Sequence, residues 1–184
     1  MQHSNNLSKA KTKAKAVAMP NHLKSVLKAA FLTALVALVW VLTTSTVWAN
    51  GNQIVGSWVT PDDKAVVEIY LQNGEYFGKF TSLKEPNYPV GHKDGLDGQV
   101  KTDRNSPDAS QHAQPIIGLV MLSGMKYAGE KKGKHKWDGG KIYDPGNGKS
   151  YKCTIRLNAD GSLDLRGYIG ISLFGRTQVW RPQQ

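Results

Sequence analysis

Tyr151-Lys152-Cys153-Thr154-Ile155-Arg156-Leu157 is followed by Asn158-Ala159-Asp160-Gly161 and then by Ser162-Leu163-Asp164-Leu165-Arg166-Gly167-Tyr168-Ile169. Tyr151, Cys153, Ile155 and Leu157 alternate with Lys152, Thr154 and Arg156. Leu163, Leu165, Gly167 and Ile169 alternate with Asp164, Arg166 and Tyr168. A period of two sends successive side chains to opposite faces, so each segment reads as a strand with one apolar and one polar face. The Asn, Asp and Gly between them are turn formers. The pair is an antiparallel hairpin, dry on one side and wet on the other.

The same grammar extends in both directions. Strands are expected at 54–60, 65–71 and 75–83, with Pro61-Asp62-Asp63 and Asn73-Gly74 as turns. Asn-Gly between apolar runs is a strong hairpin signal, because both central positions need positive φ. Further strands are expected at 116–122, 137–143, 149–157, 162–169 and 174–181, with a turn at Asp144-Pro145-Gly146-Asn147-Gly148. Residues 126–136, rich in lysine, read as a basic hairpin loop. No segment holds a helical period. Eight up-and-down strands can close into a barrel that is either filled or holds one small ligand. A two-sheet sandwich satisfies the same spacing.

The N-terminal quarter is of another kind. Lys9, Lys11, Lys13, Lys15, Lys24 and Lys28 occur with no acidic residue, followed by an apolar run over 29–42 and by Val47-Trp48-Ala49. A basic start, a short apolar core and a small-residue site describe a secretory signal, with cleavage expected after Ala49 and Met19 as an alternative start. Fourteen apolar residues suit a signal core better than a spanning helix, which needs about 20. The expectation is residues 1–49 as signal peptide and 50–184 as one barrel domain, exported to the periplasm, touching membrane only through the uncleaved signal. Six of the 24 Lys+Arg and none of the 14 Asp+Glu lie in the first 49 residues, so the net charge falls from +10 to +4 on cleavage. That is ordinary for a soluble domain and points to no nucleic-acid partner. Cys153 is the sole cysteine, so no internal disulfide exists and stability must come from packing. On the apolar phase of its strand, Cys153 reads as a small buried hydrophobe.

Between 84 and 114 the alternation disappears into Pro, Gly and Asp. A loop of this length is usually functional or disordered. Its Asp94, Asp97, Asp103 and Asp108, with His92 and His112, contain the residue types of a metal site. The spacing matches no calcium loop, and Asp and Asn form turns without metal; no metal or cofactor is expected. Gly148-Lys149-Ser150 is no phosphate loop, because Tyr143 stands where the first glycine is needed and the context is strand–turn–strand. No nucleophile-elbow or zinc-protease motif occurs.

Gly56-x-Trp58 opens the first strand and resembles the G-x-W of lipocalins, whose tryptophan packs against an arginine of the last strand; here Arg176 or Arg181 would serve. Beyond it stand Asp103-x-Asn105-x-Pro107-Asp108, Pro115-x-x-Gly118-Leu119 and Trp137-x-x-Gly140-x-Ile142-Tyr143-Asp144-Pro145, then Gly148-Lys149-x-Tyr151. Leu165-Arg166-Gly167-Tyr168-Ile169-Gly170 and Phe174-Gly175-Arg176-Thr177-x-x-Trp180 complete the series. It resembles the bacterial exported family catalogued as domain of unknown function 2147. The resemblance implies an all-β, eight-stranded antiparallel lipocalin-like (calycin-like) barrel in the envelope of a Gram-negative bacterium, and brings no reaction or ligand with it. Gly56, Trp58, Gly118, Gly140, Gly167, Gly170, Gly175, Arg176, Trp180 and Arg181 are its structural signature.

The leading functional expectation is binding of a small apolar or amphipathic, lipid-like ligand at a barrel mouth beside the 84–114 loop. Trp137, Tyr143, Tyr168 and Phe174 would supply stacking surface, and Asp103, Asn105 and Asp108 polar contacts. The alternatives are an envelope interaction protein with a filled barrel and, last, an enzyme using Asp103, Asp108 and His112 as acid and base. A non-enzymatic role ranks above catalysis. Ligand identity and oligomeric state are not legible.

Overall fold

The computed structural model describes residues 51–184; the signal segment and its cleavage site lie outside the described residues. Nine strands follow in order: β1 (Gly56–Val59), β2 (Ala65–Gln72), β3 (Glu75–Leu83), β4 (Val120–Lys131), β5 (Lys134–Asp138), β6 (Lys141–Asp144), β7 (Lys149–Leu157), β8 (Leu163–Tyr168) and β9 (Arg176–Pro182). Every pairing is antiparallel. β1 pairs with both β2 and β9, and β3 pairs with β4, so the sheet returns to its start. Such closure excludes the sandwich.

The nine segments occupy eight barrel positions, because β5 and β6 are two halves of one expected strand. β4 pairs with β5 along its second half and with β6 along its first, and β7 does the same from the other side. The break falls at Gly139-Gly140. A Cβ on Gly140 would overlap the Met125 sulfur and the Ser123 carbonyl oxygen and reach within 2.8 Å of the Met125 nitrogen. Glycine is what allows the strand to kink across its neighbour there.

Two sequence expectations are corrected along β4. Residues 116–119 are not strand: Gly118 has positive φ and donates to the Phe80 carbonyl, while Phe80 donates back to Leu119. The apolar run is apolar because it crosses the barrel end, not because it alternates. The lysine-rich segment is then not a loop but the long β4–β5 hairpin, turned by Lys132-Gly133, both at positive φ. Lysine is an unusual first residue for this turn, so the turn's position and the length of the flanking strands were not read from the sequence. The Asn73-Gly74 turn has the expected geometry.

The barrel has a filled half and a hollow half. Gly51–Ile54 crosses one end, where the Trp137 indole donates to the Gly51 carbonyl, Tyr76 to the Asn52 side chain and Trp58 to the Ile54 carbonyl. Val67, Ile69, Leu122, Met125, Trp137, Ile155 and Leu163 fill the space above this plug and are all fully buried. Leu122 and Met125, three apart on β4, both face in because the register shifts between them. Cys153 is buried too, and burial pushes its thiol up to about 12. The G-x-W unit works differently from expectation. Gly56 is required by its φ of 141° rather than by close packing, since a Cβ there would meet nothing within 4 Å. Arg181 stands opposite Val59 and reaches Asp63 at 2.6 Å, while Trp180 next to it points inward. Alternation therefore sends Arg181 to the outer face and away from Trp58. Among the described residues the cation over an aromatic ring is Lys79 on Tyr70.

Candidate functional site: the open half of the barrel

At the end of the barrel opposite the plug, the inward phase of the strands changes character. Ala65, Phe80, Met121, Leu165 and Trp180, with Ile116 from the crossing segment, form a buried apolar wall. Above it the inward positions become small or polar: Gly167 on β8, then Gln178 and Arg176 on β9. The side chains stop filling the lumen, and a cavity of about 1200 Å³ opens to solvent. Ligand pockets for small organic molecules run to roughly 300–1,000 Å³. The volume is larger than that range, room enough for a small organic ligand and too large for a packing defect.

Four connections frame the mouth, those between β1 and β2, β3 and β4, β6 and β7, and β8 and β9. The 84–114 loop is ordered by its own backbone bonds rather than by strands. Tyr88 and Gln99, Gly98 and Tyr88, and Lys101 and Pro86 pair to make a ladder, and Asp103 donates to Gln114 to close a second excursion. Asp103 is 2 % exposed, with its carboxylate 2.8 and 2.9 Å from the Tyr143 hydroxyl. Burial, followed by this hydrogen bond, raises the Tyr143 phenol above its ordinary value. The phenol remains the proton donor, and the carboxylate fastens the loop to β6. Asn105 repeats the fastening, donating to the Pro145 and Gly146 carbonyls. The other acidic groups are each committed locally. Asp94 pairs with Arg104, Asp97 accepts from the His92 amide, and Asp108 caps Ser110. These are the turn and capping roles that Asp serves in loops.

The expected ligand-contacting residues divide accordingly. Tyr143, Tyr168, Phe174 and Asn105 line the cavity. Trp137 does not: it is in the plug, where its indole hydrogen-bonds to Gly51 and packs edge-on to Tyr76. Asp103 and Asp108 are loop anchors. His112, with Asp103 and Asp108 the alternative acid–base set, places Nε2 2.9 Å from the Ser106 carbonyl; the three are engaged with separate neighbours. Phe80, Ile116, Met121 and Leu165 were not singled out from sequence. Inward phase near a strand end would have found Phe80 and Leu165; Ile116 and Met121 depend on the crossing segment and on a bulge in β4. At the rim Lys64 pairs with Asp62 and Lys101 with Glu85. Lys84 and Arg176 form no ion pair among the described residues, and neither does Asp144 on the same lining, so the mouth carries a small excess of positive charge beside an apolar wall.

Known proteins agree with this architecture. A solved structure described as protein HP1028 from the human pathogen Helicobacter pylori, belonging to the lipocalin family, superposes with a TM-score of 0.57 at 23% identity. The match covers 71% of this chain and 83% of that one. At that identity the likeness establishes the fold. A search of curated proteins found no match. The family model described as uncharacterized protein conserved in bacteria (DUF2147) matches residues 56–181, and the chain belongs to that family.

Proposed function

We propose that this protein is an exported, periplasmic binding protein that holds a small apolar or amphipathic ligand in the open half of its barrel. The observation that carries the reading is the cavity of about 1200 Å³, apolar at its wall and polar at its rim. A barrel evolved only for stability would fill that volume, because each missing side chain forfeits burial and dispersion contacts. The rim chemistry favours a ligand with an acyl or aromatic body and a polar or anionic head. Lys84 and Arg176 are the cations free to meet that head. The basic, acid-free segment before Ala49 supports export.

Native mass spectrometry of protein expressed with its own leader tests both parts. The expected result is a chain beginning at Asn50, recovered from the periplasmic fraction, carrying a lipid-sized adduct that organic extraction removes. A full-length chain in the membrane fraction would refute the export reading. A processed chain with no adduct, and with no uptake of a fluorescent fatty-acid probe, would refute the binding reading.

A further inference from the structure

The β8–β9 connection, residues 169–175, is the most apolar exposed surface among the described residues. Ile169 is 71 % exposed, Ile171 61 %, Leu173 75 % and Phe174 80 %. Four large apolar side chains within six residues are not scattered surface hydrophobes; such clusters mark a surface that meets something else. Ile169 and Phe174 also border the cavity, so the cluster stands at its mouth.

Arg166 holds the loop in place. Its Nε donates to the Ser172 carbonyl at 2.7 Å, Nη2 to the Leu173 carbonyl at 3.0 Å and Nη1 to Thr177 Oγ1 at 2.9 Å. The amides of Phe174 and Gly175 turn back onto Ile171 and Ser172. These bonds satisfy the Ile171, Ser172 and Leu173 carbonyls from within, while the large apolar side chains of the tip stay exposed. Each backbone group paired in this way lowers the cost of entering a lipid interface, which offers few hydrogen-bond partners.

The neighbouring outer face is basic. Alternation places Lys136, Lys141, Lys152, Arg156 and Arg166 outside, because Trp137, Cys153, Ile155 and Leu165 point in. Lys141 stands directly across from Lys152, and Lys136 across from Arg156. Lys136 is ion-paired with Asp138 and Arg156 also stands across from Asp164, but Lys141 and Lys152 face each other with no acid between them. Like charges directly opposite destabilise a sheet, so stability does not account for that pair. Asp138 and Asp164 are the acids on this face. Arg156 and Arg166 share a surface recess with Ser172 and Leu173, which makes the basic face and the apolar tip continuous.

We infer that the 169–175 loop and the basic outer face of β5–β8 form a docking surface for an anionic phospholipid membrane, the apolar tip entering the interface and the cations meeting headgroups. Docked in this way, the cavity mouth lies against lipid. The inference does not depend on what the cavity binds, and it adds a membrane contact beyond the signal segment.

Residues 50–184 contain the whole closed barrel and its core, so they are the protein to test, free of the apolar 29–42 segment. Co-sedimentation compares vesicles of phosphatidylcholine alone with vesicles also containing phosphatidylglycerol. The expected result is binding to the anionic vesicles that weakens as salt rises. In Ile171→Asp/Leu173→Asp, affinity should fall at least about tenfold, because the buried apolar area is lost and charge is added. Neither residue lines the cavity, so fatty-acid probe uptake should be unchanged in that variant. Independently, Leu173→Trp emission should shift to the blue on anionic vesicles. The inference is overturned if the wild type stays in the supernatant with both vesicles, if the double variant binds as well as wild type, or if the Trp emission does not move. Sedimentation velocity adds one more outcome. Self-association lost in the double variant, without vesicle binding, would assign the loop to a second copy of the chain and overturn the membrane reading.

Discussion

Asp103 and Asn105 both attach the 84–114 loop to the barrel, and of the two Asp103 does so through a buried group. Its carboxylate is buried and meets one side-chain donor, Tyr143. Removing that donor leaves a desolvated carboxylate uncompensated, which costs more than the bond contributes when made. Tyr143→Phe should therefore destabilise the protein by about 2 kcal/mol in urea titration, with the 84–114 loop losing amide protection first. Asp103→Asn should be milder, because a neutral amide oxygen still accepts from the phenol. Cys153 gives a second check at this scale. With its thiol buried and pushed up to about 12, the thiolate that reacts is scarce at neutral pH. Alkylation by iodoacetamide should be negligible in the native protein and prompt in denaturant. The two residues differ in how far sequence could read them. Cys153 sits on the apolar phase of an alternating strand, a local pattern that states its burial. Asp103 lies in a stretch without pattern, and its burial depends on Tyr143, 40 positions along the chain.

The paired segment β5–β6 shows what glycine does inside a strand. One continuous strand was expected over 137–143, but β4 and β7 each need to pair with both halves at a bend. Gly140→Ala should cost about 1–3 kcal/mol, the range for overpacking, because the obstructing atoms include backbone. A normal melting temperature for this variant would mean that the kink does not need a glycine. The long loop responds instead to acid. Asp94 is held below the ordinary carboxylate range chiefly by its hydrogen bond from Arg104, and Asp108 chiefly by Ser110. A carboxyl group titrating lower when folded contributes stability that is complete above its unfolded value of 3.8. That contribution is lost as the pH falls through the lower folded value. Both groups are exposed, so the expected outcome is local. Hydrogen exchange within 92–112 should quicken below pH 3.8 while the amides of β7 and β8 stay protected. Simultaneous loss of both would disprove the local assignment. At this scale the hairpins of β2–β3 and β7–β8 were legible, because alternation and turn residues are local. The β4–β5 hairpin was legible only as a lysine-rich hairpin loop over 126–136; the extension of its strands to a tight turn was not, because Lys132-Gly133 carries no Asn or Asp.

For the molecule as a whole, the decisive property is that one half of the barrel is packed and the other is not. Gly167 faces the hollow half. A Cβ there would make ordinary contacts of 3.4 Å with Ile142 and 3.6 Å with Tyr151, with the lumen beyond. Gly167→Phe should fill the cavity, abolish uptake of a fatty-acid probe, and leave the melting temperature unchanged or raised. Binding at wild-type strength in that variant would place the ligand elsewhere.

The family resemblance and the eight-strand count were both contained in the sequence, because each rests on local signals: the period of two, the turn residues and ordered short motifs. The sequence also determined, without help, that one cysteine permits no disulfide and that the basic excess lies mainly before Ala49. Closure of the ring was decided only by the tertiary structure, since β1 meets β9 across 124 positions at Trp58 and Pro182, and no local pattern specifies such a pairing. So was the division of Trp137 from Phe174. Both are aromatic residues in motif blocks of the same family, yet one seals the plug and the other stands exposed at the mouth. Alternation says whether a side chain points inward; it does not say at which height along the barrel the inward side chains stop meeting.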